Sequence, residues 1–178
     1  MTGPISHYAT PVAEDTIRLE RDLPGPIERV WAYLTESDKR ATWLAAGPME
    51  LHQGGKAELT WFNSRLSGQN EPPPEKHRNA EGHSIKGKVL ACDPPHLLRF
   101  TWGGDSGESI VTFELSKQNE GVKLVITHSR LANRGAKLGV SGGWHAHLDI
   151  LDDILSGKPP RAFWSNHARL ETEYEKRL

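Results

Sequence analysis

The sequence has few of the features that mark several large classes of protein. Its only cysteine, Cys92, cannot form a disulfide within the chain, and we expect it to be a small residue at the end of a strand. The 22 basic and 23 acidic residues give a net charge of −1 without a long block of one sign. Binding to nucleic acid is therefore not expected. No run of about 18 apolar residues occurs, which excludes a helix that spans a membrane.

The amino terminus also lacks a recognisable targeting pattern. Residues 1–15 contain no basic start followed by an apolar run, which a secretory signal would need. They carry Pro4 and Pro11 and no periodicity, so we predict a flexible arm. With one cysteine and no signal, a cytoplasmic location is the default expectation.

Most of residues 16–128 alternates apolar with polar side chains, a pattern typical of strands with one buried face. Turn signals such as Asp93-Pro94-Pro95 separate the later runs, so we predict an antiparallel meander. Two short helices interrupt the alternation, at Pro26 to Leu34 and Ser37 to Leu44. The strands are predicted around residues 16–23, 56–61, 85–89, 98–102, 111–115 and 123–128.

A long helix is predicted from Trp144 to about Leu155. Leu148 and Leu151 continue its apolar stripe, which gives an amphipathic helix of about four turns. The opposite side is predicted to be a solvated polar face, so we reject a metal site there. This polar face comprises His145, Asp149 and Asp152.

After Gly157 and two prolines, residues 159–178 form a second amphipathic pattern. Its apolar stripe either packs on the same domain or closes a homodimer, and the pattern does not distinguish the two. The stripe comprises Phe163, His167, Leu170, Tyr174 and Leu178.

Residues 63–82 are polar and include three consecutive prolines. Because they offer little apolar surface to offset the entropy of ordering, we predict a mobile insertion loop. A lid over a pocket is the alternative.

Three stretches resemble the SRPBCC (START-like) superfamily, in its branch related to the activator of heat-shock-protein-ninety ATPase. They are the opening Ile17–Arg21 with Pro26–Leu34, the Thr35–Leu44 element that ends in a tryptophan, and Gly142–Asp149. The resemblance covers residues 16–157. It implies a domain over residues 16–158 with the α+β helix-grip fold, in which a curved antiparallel sheet wraps around a long C-terminal helix. It also implies a cavity between the two.

Tryptophans and histidines are predicted at positions that face this cavity. The tryptophans either fill the core or line the cavity. The two histidines either contact a ligand or are buried neutral rings. We predict no catalytic residue, no cofactor and no metal. The predicted ligand-binding residues are Trp43, Trp61, Trp102, His128, Trp144, His147, Leu148 and Leu151.

The leading functional hypothesis is the binding of a small hydrophobic molecule, as a carrier or a sensor. A cavity enzyme of cyclase or hydrolase type, with His128 or His147 as acid or base, is the first alternative. The second alternative is a stress-response or chaperone-related interaction module.

Overall fold

The elements follow the predicted order in a computed structural model that describes residues 7–68, 71–104 and 107–178. Two 3₁₀ turns, Asn63–Arg65 and Glu75–Ala80, lie between β3 and β4. Within these residues, no helix is long and apolar enough to cross a bilayer. The elements are β1 (Thr10–Ala13), β2 (Thr16–Pro24), α1 (Ile27–Thr35), α2 (Ser37–Arg40), β3 (Lys56–Thr60), β4 (Ser84–Asp93), β5 (Leu97–Gly104), β6 (Gly107–Gln118), β7 (Gly121–Ser129), α3 (Arg134–Leu155) and α4 (Phe163–Arg177).

The strands form one antiparallel sheet in the order β1-β2-β7-β6-β5-β4-β3. The sheet curves around α3, so the predicted helix-grip fold is confirmed. The close approach of β4 to β5 requires a glycine at position 87, since a Cβ there would lie 2.1 Å from the carbonyl oxygen of Thr101. Glycine, which has no side chain, therefore occupies a position where the two strands lie too close for a Cβ.

The amino-terminal segment is more ordered than predicted. Residues Thr10–Ala13 form β1, which pairs with β2 at the edge of the sheet. Ala9 is buried, and its backbone N–H donates to the hydroxyl of Tyr174, 2.6 Å away. The prediction of a flexible arm is therefore wrong over β1; residues 1–6 lie outside the described residues.

Helix α3 begins at Arg134, ten residues before the predicted start. The side chain of Asn133 caps it by accepting the backbone N–H of Ala136 at 2.9 Å. Its 22 residues give a length of about 33 Å. The early turns include Gly139, Gly142 and Gly143, and glycine weighs against helix when a sequence is considered alone.

The second half of α3 is covered on both sides, by the sheet and by α4. The predicted polar face is wrong, because His145 and Asp149 are buried and Asp152 is half-buried. The stripe on α4 packs on its own domain, where Phe163, His167, Leu170 and Tyr174 are buried and Leu178 is half-buried. That face is not available to the homodimer that we considered.

Several buried polar groups between α3 and α4 have partners within the protein. The hydroxyl of Tyr174 accepts from Ala9 and also forms a hydrogen bond with Nδ1 of His145, 2.9 Å away. Asp149 accepts from the side-chain amide of Asn166 at 2.9 Å and lies 3.7 Å from the guanidinium of Arg21. These contacts join the first and last elements of the chain to α3.

Burial of two α3 histidines makes folding sensitive to pH. It lowers the pKa of both His145 and His147 to about 3, from an ordinary value of 6.5. As the pH falls below about 6.5, the unfolded chain binds protons that the folded chain does not, so stability decreases. Between about pH 7.5 and 5.5, each ring should remove about 1 kcal/mol from the free energy of unfolding.

Urea unfolding at the two pH values measures this loss. His145→Gln and His147→Gln should each reduce the loss of unfolding free energy by the contribution of one histidine ring, because glutamine does not titrate. His52→Gln, at an exposed histidine, is the matched control and should leave the loss unchanged. A wild-type stability that is the same at both pH values would contradict the expectation.

Arg40 is a second buried polar centre, at the junction of α1 and α2. Its fully buried guanidinium donates to the carbonyl oxygens of Leu34, Thr35, Ala45 and Gly47. The first two carbonyls belong to the C-terminal turn of α1, where a positive charge is favoured by the helix dipole. Burial lowers the pKa of Arg40 to about 10, so it remains charged at neutral pH.

Arg40→Met should destabilise the fold by about 3–5 kcal/mol, because the carbonyls that Arg40 satisfies are left buried without a donor. Equilibrium unfolding in urea measures the change. Lys39→Met is the control: this neighbour forms an exposed ion pair with Glu36, so its loss of stability should be much smaller than that of Arg40→Met. Equal losses of unfolding free energy in the two variants would show that the buried guanidinium of Arg40 stabilises the fold no more than the exposed ammonium of Lys39.

Candidate ligand-binding site

Two small pockets adjoin at the side chains of Trp61 and Trp102. The first, here called the cover pocket, is a cavity of about 200 Å³. The second, the helix pocket, is a cavity of about 130 Å³ between the sheet and α3. The cover pocket is lined by Trp61, Asn63, Ala80, His83, Ile85 and Trp102. The helix pocket is lined by Leu44, Trp61, Trp102, Gly139, Val140, Gly143, Trp144 and His147.

Three indole rings cluster where the two pockets adjoin. The ring centroids of Trp61 and Trp102 are 5.2 Å apart, and those of Trp102 and Trp144 are 5.1 Å apart. Trp61 follows β3, Trp102 lies on β5, and Trp144 lies on the buried side of α3. The strand alternation and the helical period therefore bring the three rings to one place.

The helix pocket exists because α3 lacks side chains on one face. Gly139 and Gly143 are four residues apart and so lie on the same side of the helix. A Cβ at either position would have no neighbour within 4 Å. Gly142 differs, since its Cβ would meet His167 on α4 at 3.8 Å. Sequence reasoning noted Gly142 and Gly143 but not Gly139 or Val140.

The structure brings together half of the predicted ligand-binding residues. Trp61, Trp102, Trp144 and His147 border the helix pocket. The other four line neither pocket and are fully buried core residues, so we remove them from the site. These are Trp43, His128, Leu148 and Leu151.

His128 is held by hydrogen bonds on both ring nitrogens. The indole N–H of Trp144 donates to Nδ1 at 3.0 Å, so the proton of the neutral ring is on Nε2. Nε2 donates to the hydroxyl of Ser109 at 2.7 Å, which donates in turn to the carbonyl of Trp102 at 2.9 Å. Burial lowers the pKa of His128 to about 4. This ring positions two walls of the site and has no free nitrogen for acid–base chemistry.

His147 is held on one nitrogen only among the described contacts. Its Nδ1 donates to the carbonyl of Trp43 at 2.8 Å, which leaves Nε2 as an acceptor in the neutral ring. Its ring also packs on Phe163, with centroids 4.6 Å apart. With a pKa near 3, His147 can accept a hydrogen bond at neutral pH but carries no proton to donate to a reaction from Nε2.

Asn63 supplies a polar group that sequence reasoning missed. It is buried, lines the cover pocket, and its side-chain oxygen has no hydrogen-bond partner. A buried acceptor without a hydrogen-bond donor lowers the stability of the fold unless another group donates to it. Its signal in the sequence is weak, since asparagine is common at the start of polar segments.

The described part of residues 63–82, here called the cover segment, contacts α4. The imidazole of His77 stacks on the indole of Trp164, with centroids 5.4 Å apart and an angle of 17°. Glu81 accepts the backbone N–H of Ser64 at 2.9 Å and the indole N–H of Trp164 at 3.3 Å. The segment walls the cover pocket through Asn63 and Ala80, a position that favours the lid alternative. Residues 69 and 70 lie outside the described residues, and the mobility of the segment stays a prediction.

Comparison with solved structures gives a relative of substantial identity. The protein encoded by gene BPP1335 of Bordetella parapertussis is 43% identical, with a TM-score of 0.80, over 100% of this chain and 96% of that chain. CalU16 from Micromonospora echinospora is 20% identical over 90% of this chain and 86% of that chain, with a TM-score of 0.66.

DynU16, from the dynemicin biosynthetic locus, is 21% identical over 85% of this chain and 51% of that chain, with a TM-score of 0.59. The likeness to CalU16 and DynU16 concerns the fold alone. No curated protein matched this chain.

A family match covers most of the domain. Residues 24–156 match the family described as "Activator of Hsp90 ATPase homolog 1-like protein". This span runs from the end of β2 to the end of α3 and so contains both pockets. The chain belongs to the Activator of Hsp90 ATPase homolog 1-like family, with the SRPBCC type of fold that its sequence motifs resemble.

Proposed function

We propose that this protein binds one compact, mainly hydrophobic molecule in the cover and helix pockets. The observation that carries the proposal is the pair Trp61 and Trp102, whose rings border both pockets. An aromatic-walled concave space with few polar groups is the usual form of a small-molecule site. The fold of the family commonly binds hydrophobic ligands.

The size of the pockets restricts the ligand. Together, the cavities of about 200 and 130 Å³ reach only the lower end of the usual range of about 300–1,000 Å³ for ligand sites. A long acyl chain would need more length than these two spaces offer. A molecule of one or two rings fits the volume, and the indole faces favour an aromatic one.

The polar groups of the site suggest a hydrogen-bond donor on the ligand. Asn63 lines the cover pocket, and its side-chain oxygen is a buried acceptor without a partner. His147, which borders the helix pocket, is neutral and has an acceptor nitrogen. A hydroxyl or amine on an otherwise apolar ligand would satisfy either one.

The contacts give less support to the two alternatives. His128 has both nitrogens engaged, and the pKa of His147 is too low for it to act as an acid at neutral pH. The apolar stripe on α4, which motivated the interaction module, is buried against α3 and its neighbours. Binding without chemistry is the simplest function of such a site.

Binding of 1-naphthol tests both the pocket and the predicted donor. Quenching of tryptophan fluorescence should saturate with 1-naphthol, and naphthalene should bind about fivefold more weakly, the equivalent of one hydrogen bond. Decanoic acid should compete poorly because of its length. Asn63→Leu should remove the difference between 1-naphthol and naphthalene.

Asn79→Leu changes an exposed asparagine of the same cover segment and is the matched control for Asn63→Leu. It should preserve the preference for 1-naphthol. If neither aromatic compound gives saturable quenching, the proposed function fails. If both bind equally well to the wild type, the role of Asn63 fails.

Filling the helix pocket from α3 provides a second test. Gly143→Ala should stabilise the fold by about 1 kcal/mol, since alanine favours helix and its methyl group enters open space. The same methyl group occupies the pocket, so the Kd for 1-naphthol should rise. Thermal unfolding and fluorescence titration measure the two effects.

Gly142→Ala is the matched control, because it gains the same helix propensity while its methyl group faces α4 at ordinary contact distance. It should be stabilised to a similar degree with unchanged affinity. A loss of affinity in both variants would mean that helix rigidity, rather than pocket volume, controls binding.

A further inference from the structure

Three side chains with metal-binding atoms meet where the cover segment lies on α4. His77 comes from the cover segment, and His167 and Glu171 are one helical turn apart on α4. One ligand atom from each residue lies within 4.8 Å of the other two. None of these residues lies on α3, where we rejected a metal site from the sequence.

Two of the distances within the cluster are close to those between the ligands of a tetrahedral ion. An oxygen of Glu171, Oε1, is 3.2 Å from Nε2 of His77 and 3.1 Å from Nδ1 of His167. Ligands that are about 2.0–2.1 Å from Zn²⁺ in a tetrahedron lie about 3.3–3.4 Å from one another. The second oxygen, Oε2, is engaged by the ammonium of Lys76 at 2.9 Å, so Oε1 is the atom that faces both rings.

A simple hydrogen-bonded network does not explain His167. This residue is 92% buried, and its Nδ1 has no hydrogen-bond partner. The contact of 3.1 Å with Glu171 therefore lacks the direction of a hydrogen bond. A buried ring nitrogen that lies beside a carboxylate oxygen without a hydrogen bond is available as a ligand for an ion.

Aromatic packing fixes the two imidazoles. His77 stacks on Trp164, and His167 stacks on Phe163 with centroids 5.3 Å apart and an angle of 22°. Side chains held in this way lose little entropy when they bind an ion. The ligands are thus pre-organised.

The cluster borders a small cavity of about 120 Å³. It has room for a water molecule or another small ligand as the fourth ligand of the ion. Two histidines and a carboxylate with an open fourth position are a ligand set that Zn²⁺ adopts in proteins. The cavity is lined by His77, Leu138, Gly139, His167, Glu171 and Glu175.

We infer that His77, His167 and Glu171 form a binding site for Zn²⁺ with one open coordination position. Because His77 belongs to the cover segment and the other two ligands to α4, a bound ion holds the cover segment on the helix. The competing cation is Lys76, whose side chain is 64% exposed and is free to turn toward solvent.

The affinity for Zn²⁺ alone tests the site. The full chain, stripped with a chelator, is titrated with Zn²⁺ against a chromophoric competitor, and Co²⁺ is used to report the coordination geometry. We expect one equivalent with a Kd of about 1 μM or tighter, and a tetrahedral Co²⁺ spectrum. His77→Ala and Glu171→Gln should each weaken binding by about 100-fold or more, exceeding the about 10–100-fold typical of outer-shell partners.

Two further variants sharpen the test. Lys76→Gln removes the competing cation and should tighten binding severalfold. His52→Ala, at an exposed histidine outside the cluster, should change nothing. Zn²⁺ should also slow tryptic cleavage after Lys76 and Arg78 in the wild type but not in His77→Ala.

Either of two results would overturn the inference. One is binding weaker than about 1 μM. The other is tight binding that His77→Ala and Glu171→Gln leave intact, which would assign it to other histidines among the nine of the chain.

Discussion

Burial of α3 on both faces is the constraint on which the rest of the structure depends. A helix that packs only on a sheet can leave its polar residues in water, but the later turns of α3 are enclosed between the sheet and α4. Each polar side chain there must find a partner within the protein. His145 finds Tyr174, which also holds the backbone of Ala9, and Asp149 finds Asn166. The order of the amino terminus and the docking of α4 are thus consequences of one enclosed helix.

The candidate site lies where this enclosure ends. The early turns of α3 carry Gly139 and Gly143, which cannot fill the space toward the sheet. Trp61, Trp102 and Trp144 close that space from the other sides without filling it. Close packing is the rule in protein interiors, so a void kept open by glycines and rigid rings needs an explanation. A ligand supplies one, because it would restore the missing contacts.

The sequence predicted what depends on local periodicity and missed what depends on distant partners. Alternation located strands β2 to β7 but not β1, and the spacing of Trp144, Leu148 and Leu151 located the later turns of α3. The same spacing placed His145 and Asp149 in solvent, because a helical pattern cannot reveal that α4 returns to cover them. The cover segment was predicted to be a mobile loop for a similar reason. His77 contacts Glu171, which is 94 residues away in the chain, and no local pattern shows this contact. A site built from residues so far apart in the sequence cannot be predicted from periodicity.

The two proposed sites share the cover segment, and this links them thermodynamically. Ala80 walls the cover pocket, and His77, three residues earlier in the same 3₁₀ turn, reaches the cluster on α4. If an ion holds this turn in place, a molecule in the cover pocket no longer has to order it. Linkage is reciprocal for binding free energies, so an occupied pocket must strengthen metal binding by the same factor. Such coupling requires no movement of the sheet or of α3, only an equilibrium between a docked and a released cover segment. This coupling would confine adjustability to the polar insertion between β3 and β4, whose mobility is a prediction, away from the enclosed helix α3.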